Sequence, residues 1–221
     1  MWRFCGTIYI FLAVGVSTLL GSKLSEDQKL YVDEHNTYRS GANPSASNMK
    51  QMEWNSTLAS LAKEWASRCV FEHGHPENNI NEWIGQNLFW SSYPDNIIVN
   101  AIRAWHFEAS DYDFNSNTCA SDKVCGHYTQ VMWANSYKIG CALSPPECEN
   151  GYILVCNYLP GGNYAGEKPY KKGASCTQCE MGWQGGCDKN LCTRGDRPMS
   201  NPIEEISKVF ADSLQEMFKP K

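Results

Sequence analysis

Eleven cysteines in a chain of 221 residues constrain its fold and its surroundings more than any other feature. Cys5 sits in an uncharged run from Phe4 to Leu20 that follows Arg3 and precedes Gly21 and Ser22. A basic start, an apolar stretch and small residues form the layout of a secretory signal, so residues 1–21 read as a signal peptide cleaved near Gly21. A retained anchor is the alternative, because the run reaches the lower edge of bilayer-spanning length; no second run of that length follows, so no transmembrane span is expected in the mature chain. Removing the signal takes Cys5 with it and leaves ten cysteines, an even number suited to full pairing in an oxidising compartment. The expected location is therefore secreted and extracellular, against a cytosolic chain that carries metal-binding or free thiols. Asn55-Ser56-Thr57 is an N-glycosylation acceptor, which places Asn55 on the same side of that choice.

With 42% hydrophobic and 19% charged residues, the chain can bury a core and is not disordered. Its net charge of −5 provides no basic surplus, so a nucleic-acid partner is not expected.

Periodicity divides the chain. Ser25 and Gln28 form a capping box ahead of a helix to about Ser40, with Gly41 and Pro44 beyond. Leu58, Leu61, Ala62, Trp65, Ala66 and Cys69 lie on one apolar stripe of a second helix and place Cys69 on its core side. A third helix is predicted from about Asp95 to Ser110, with Ile98, Ala101, Ile102 and Trp105 on one face; Glu108 continues that face and needs a counter-group. Tyr137–Leu143 and Tyr152–Tyr158 read as an antiparallel strand pair around a turn-rich segment. From Pro160 to Gly173 periodicity fails, and a domain boundary is placed there.

Cys176, Cys179, Cys187 and Cys192 follow with spacing C-x2-C-x7-C-x4-C. Zinc is one reading of such a cluster; in an oxidising compartment two disulfide staples are the other, and the preferred one. Beyond it, Ile203, Ile206, Phe210, Leu214, Met217 and Phe218 share one side of an amphipathic tail over 196–221, for packing on its own domain, a partner or a lipid surface.

Two long motifs carry a resemblance. Gly126-His127-Tyr128-Thr129-Gln130-Val131-Met132-Trp133 and Ile153-Leu154-Val155-Cys156-Asn157-Tyr158-Leu159-Pro160-Gly161-Gly162-Asn163-Tyr164 resemble the defining motifs of the CAP superfamily, the cysteine-rich secretory, antigen 5 and pathogenesis-related proteins. His35-Asn36, Asn43-Pro44, Met52-Glu53-Trp54 and Ala104-Trp105-His106 extend the likeness, which covers about Leu24 to Cys192. The cysteine cluster after Pro169-Tyr170-Lys171-Lys172-Gly173 looks like the hinge of cysteine-rich secretory and glioma pathogenesis-related proteins, without the larger cysteine-rich domain of the former.

The resemblance implies an α+β fold: an α-β-α sandwich with a small antiparallel sheet between helical layers, plus a short disulfide-stapled hinge. The corresponding domains are 24–165 for the sandwich and 166–195 for the hinge. It also implies the pairs Cys69–Cys148, Cys141–Cys156, Cys119–Cys125, Cys176–Cys187 and Cys179–Cys192. The family cleft is lined by two histidines and two glutamates, positions that fall here on His73, Glu108, His127 and Gln86, the last standing where relatives carry a second glutamate. Gln86 keeps the shape and loses the charge. No cofactor is required; the alternatives are a weakly bound zinc ion at His73 and His127, or a metal-free network of His, Gln and Glu. His75 is read as solvated and His35 as a helix-packing residue.

Three functional readings follow. The preferred one is an extracellular binding or effector module whose partner is a protein, such as a cell-surface receptor, or a lipid, with sterol and fatty acid the lipids the resemblance implies. The polar loop from Asn115 to Cys125 disfavours a sterol gate. The second is a weak metal-dependent hydrolase with Glu108 as the base; no confident catalytic residue emerges, since neither G-x-S-x-G nor H-E-x-x-H is present. The third is integrin binding through Arg194-Gly195-Asp196, directly after Cys192.

Overall fold

The computed structural model describes residues 23–149 and 151–195. The signal run at 1–21 and the tail at 196–221 lie outside the described residues, as does Asp196.

The central element is β6 (Tyr152–Leu159). Nearly every one of its residues is buried, as a strand covered on both faces must be. Its side chains alternate between two cores. Leu154, Cys156 and Tyr158 enter the larger one, while Ile153, Val155 and Leu159 enter smaller clusters on the opposite face. It pairs antiparallel with β5 (Lys138–Leu143) on one side and β2 (Gly85–Ser91) on the other. The two-residue β1 (Glu53–Trp54) adds to the far edge of β5 in parallel, giving the order β1-β5-β6-β2. The sheet is thus antiparallel except at this edge.

One face is covered by α2 (Ser56–Ala66), whose Leu58, Leu61, Ala62 and Ala66 are buried. Gly140 permits that approach: a Cβ there would lie 2.1 Å from the Ala59 backbone nitrogen. The helix ends at Ala66, so Cys69 is not on its core face. It lies beyond the cap with φ +56° and is exposed, joined to the buried Cys148.

The other face carries α1 (Glu26–Ser40), α3 (Ile97–Phe107) and the short α4 (Gly126–Val131). Ser25 and Gln28 cap α1 reciprocally. Past α3 the chain tightens into a 3-10 turn over Glu108–Asp111 and then forms a small hairpin, β3 (Tyr112–Asp113) with β4 (Thr118–Cys119). The layers are therefore helix, sheet, helix.

Residues 166–195 lie against the sandwich. Tyr170 and Leu191 join the larger core, and the backbone of 169–173 bonds to the segment Ser45–Asn48 and to Ala134. Strands β7 (Gly186–Asp188) and β8 (Leu191–Thr193) pair beside it. Five disulfides join Cys69–Cys148, Cys119–Cys125, Cys141–Cys156, Cys176–Cys187 and Cys179–Cys192. No helix among the described residues is long and apolar enough to cross a membrane.

One buried cation joins these layers. Arg39, 1% exposed at the end of α1, directs its guanidinium at the carbonyl oxygens of Lys50, Val131, Trp133, Ala134 and Ser136, at 2.6–3.3 Å. A planar group with five N–H donors suits a chain that doubles back after α4 and leaves carbonyls pointing inward.

Candidate functional site

Glu108 lies where α3 tightens into its 3-10 turn, and α4 supplies its counter-group. Its Oε1 accepts from Nδ1 of His127 at 2.6 Å, and its Oε2 accepts from the backbone N–H groups of His127 and Tyr128 at 3.0 and 3.1 Å. Charge-assisted bonds of this kind offset the desolvation of a carboxylate whose side chain is only 19% exposed. The His127 ring lies nearly parallel to Trp105, with centroids 6.3 Å apart.

His73 is held differently. Trp65 donates its Nε1 hydrogen to the Glu72 carbonyl at 2.8 Å, and the Trp65 ring fills the space where a Cβ on Gly74 would be. Between these anchors His73 is exposed and donates from Nδ1 to Oε1 of Gln86 at 3.0 Å. Gln86 uses its whole amide. Oε1 also accepts from the Gly74 N–H at 3.1 Å, while Nε2 donates to the Gly74 carbonyl at 2.7 Å and to Oδ1 of Asn157 at 3.2 Å. Asn157 in turn donates to the Leu58 carbonyl of α2. A glutamate at this position could not donate to the Gly74 carbonyl or to Asn157, so the neutral amide suits its surroundings.

The structure thus builds two closed pairs, His73 with Gln86 and Glu108 with His127. They are linked through the neighbour of Gln86. Asn87 donates to the His127 carbonyl at 3.1 Å and to the Tyr158 hydroxyl at 3.3 Å. Tyr158 then bonds Nε2 of His35 at 2.8 Å, and Nδ1 of His35 bonds the Tyr31 carbonyl at 2.7 Å. A carbonyl only accepts, so His35 carries its proton on Nδ1 and takes the Tyr158 hydrogen on Nε2. Full burial holds the His35 imidazole down to about 3, in the neutral state this relay needs, and burial raises Tyr158.

Asn87, Asn157 and Tyr158 have no role in the sequence reading, although Asn157 and Tyr158 lie within the second motif. The available signal was three polar residues set among strand residues. His75 departs from its expectation. It is half-buried rather than solvated, bonds the Ile84 carbonyl through Nε2 at 3.3 Å, and has its pKa lowered first by burial.

The donor set does not fit a zinc site as it stands. Among the described residues, the only three His, Cys, Asp or Glu side chains with donor atoms mutually within 4.8 Å are Cys176, Cys179 and Cys192, all in disulfides. His73, Glu108 and His127 do not form such a set, whereas a protein zinc site takes three or four ligands.

Arg194 is engaged within the molecule. Its Nε lies 3.3 Å from Glu53, and its guanidinium stands over Tyr137 and Trp183 at 4.7 and 5.1 Å. The Gly195 N–H donates to the Gly182 carbonyl. Asn55 caps α2 with Oδ1, which accepts from the Leu58 N–H at 2.9 Å; that bond does not use the amide nitrogen a glycan would occupy.

Comparison with known proteins decides the family: the profile of the cysteine-rich secretory protein family, CAP, matches residues 32–158. This chain belongs to the CAP family. It is 40% identical to human (Homo sapiens) GLIPR1-like protein 1 over 200 residues, covering 86% of this chain and 80% of that protein. Peptidase inhibitor 16 of Mus musculus is also 40% identical over 186 residues; the match covers 81% of this chain and only 35% of that much longer protein. Among solved structures, NaASP2 with Zn2+ matches at a TM-score of 0.62 and 28% identity, covering 76% of this chain and 96% of that one. Schistosoma mansoni venom allergen-like protein 4 gives 0.55 at 30% identity, covering 68% and 97%. This CAP chain therefore has the sandwich of its relatives, with a glutamine at position 86 bonded to His73.

Proposed function

We propose that this chain is a secreted, extracellular binding module that meets a protein partner such as a cell-surface receptor, and that it is not a catalyst. The observation that carries this reading is the state of Glu108. Its carboxylate already accepts three hydrogen bonds from His127 and Tyr128, so the one acidic group of the cleft secures α4 and is not free to take a proton from a substrate. Gln86 supplies no second carboxylate. The disulfides support an oxidising compartment, and relatives include horse (Equus caballus) cysteine-rich secretory protein 3, at 39% identity.

The lipid alternative draws less from the structure. Ahead of α4 a hairpin leads into a short loop closed by Cys119–Cys125, which opposes a mobile sterol gate. Integrin recognition would have to withdraw Arg194 from Glu53 and two aromatic faces.

The test is saturable binding of labelled, mammalian-secreted protein to cultured cells, displaced by unlabelled protein. Absence of displaceable binding overturns the module reading. Turnover of a peptide library that disappears in Glu108→Gln overturns the non-catalytic half.

A further inference from the structure

A groove of about 540 Å³ lies away from the histidine cleft, where residues 167–172 run beside the sandwich. Its lining includes Phe114 and Tyr170, whose ring centres are 4.6 Å apart. The lining also carries Lys168, Lys171 and Lys172 with Asn115 and Asn135, against the carboxylate of Glu167, and Asp113 lies within electrostatic reach of Lys168. We propose that this groove binds a sulfated glycan, an inference that goes beyond the protein-partner reading.

The charge is unspent. Lys171 and Lys172 are exposed, and neither ammonium group has an ion-pair or hydrogen-bond partner among the described residues. Lys168 is fixed, its Nζ donating to the Asn115 carbonyl at 2.9 Å and standing 5.1 Å from the Phe114 ring centre. In a chain of net charge −5, lysines gathered on one groove make a local field opposite in sign to the whole.

The backbone closes one route by which an acidic peptide could bind, strand addition, which needs a free edge. Here the wall is already paired: the carbonyls of Pro169 and Lys171 accept from Ala134 and Ser47, the Lys171 N–H donates to Asn48, and the Gly173 N–H donates to Ser45. What remains to read a ligand is side chains, namely ammonium groups for sulfates and amides for hydroxyls. That combination fits a saccharide, and the volume suits a few sugar rings.

The test is calorimetric titration of the full secreted chain with a heparin tetrasaccharide, its desulfated counterpart and a hexaglutamate peptide. The expected result is binding of the sulfated saccharide alone. It should fall about tenfold in a Lys171→Ala, Lys172→Ala double variant, be retained in the corresponding double arginine variant, and be unchanged in Lys63→Ala. Equal affinity in the double alanine variant, or no saccharide binding, overturns the proposal; capture of hexaglutamate in its place overturns it in favour of an acidic peptide. Digesting cell-surface glycans separates the two readings. Cell binding that survives digestion overturns the glycan proposal and leaves the module standing. Saccharide binding without any binding to cells keeps the glycan site and overturns the module reading.

Discussion

Replacing Arg39 by methionine removes a buried cation of similar length and leaves its carbonyl partners in place. Of the five, Trp133 and Ala134 also accept backbone bonds, from Ser136 and Lys50. The carbonyls of Lys50, Val131 and Ser136 lose the partner that Arg39 gave them, at 2.6, 2.8 and 2.9 Å. An orphaned buried carbonyl costs about 1–3 kcal/mol, so three cost roughly 3–9 kcal/mol. A domain of this size is stable by about 5–15 kcal/mol, so the variant should sit near the edge of folding. Arg39→Lys, with three donors, recovers part of the loss. The assay is denaturant unfolding with disulfides intact, supported by thermal melting, where roughly 3 kcal/mol corresponds to a fall of about 6–12 °C. A loss under about 1 kcal/mol in Arg39→Met would refute the argument that the guanidinium holds the layers together.

Glu108→Ala removes the oxygen that the His127 and Tyr128 amides share; hydrogen exchange at those amides should quicken by about tenfold or more, and unchanged protection would show that the carboxylate does not secure α4. His35 is neutral in the fold, held to about 3, and titrates near 6.5 when unfolded. Its contribution is therefore complete above about pH 6.5 and is lost as pH falls from there toward 3, by up to about 1.4 kcal/mol per unit; His35→Gln should remove about one proton from the slope of stability against pH in that window, and an unaltered slope counts against the assignment. Removing Cys69–Cys148, which closes a separation of 79 residues, should cost about 4–5 kcal/mol, against about 2 for Cys119–Cys125 with its separation of 6; equal losses in denaturant unfolding would contradict the loop-entropy account.

Sequence reading serves best where apolar periodicity meets a continuous core. The stripe on α2 and the near-unbroken apolar run of β6 are legible because each faces packed side chains on a regular period. Strand β2 escapes it. Gly85, Gln86 and Asn87 carry no apolar alternation, and they lie in a strand where Gln86 bonds Asn157 and Asn87 bonds Tyr158, contacts across 71 residues. Cys69 misleads for a local reason: the stripe continues past the point where the helix stops. At the site, Glu108 announces itself as an inward carboxylate in need of a partner. Which group answers it depends on a helix 19 residues further along the chain.

The sequence by itself determined a mixture of helices and strands, through their periods, and the family, through two uninterrupted motifs whose resemblance implies the layered α+β sandwich. It also set the chemistry available at the candidate site, one carboxylate and one amide with two imidazoles. Tertiary structure alone decided how those groups are used. Closing the sandwich turned Glu108 onto His127 and Gln86 onto His73, buried Arg39 among five carbonyls, laid Arg194 against Tyr137 and Trp183, and left the ammonium groups of Lys171 and Lys172 without a hydrogen-bond or ion-pair partner among the described residues. The physical reason is that a polar group is satisfied by whatever the fold brings within about 3 Å of it, and its neighbours along the chain do not encode that distance.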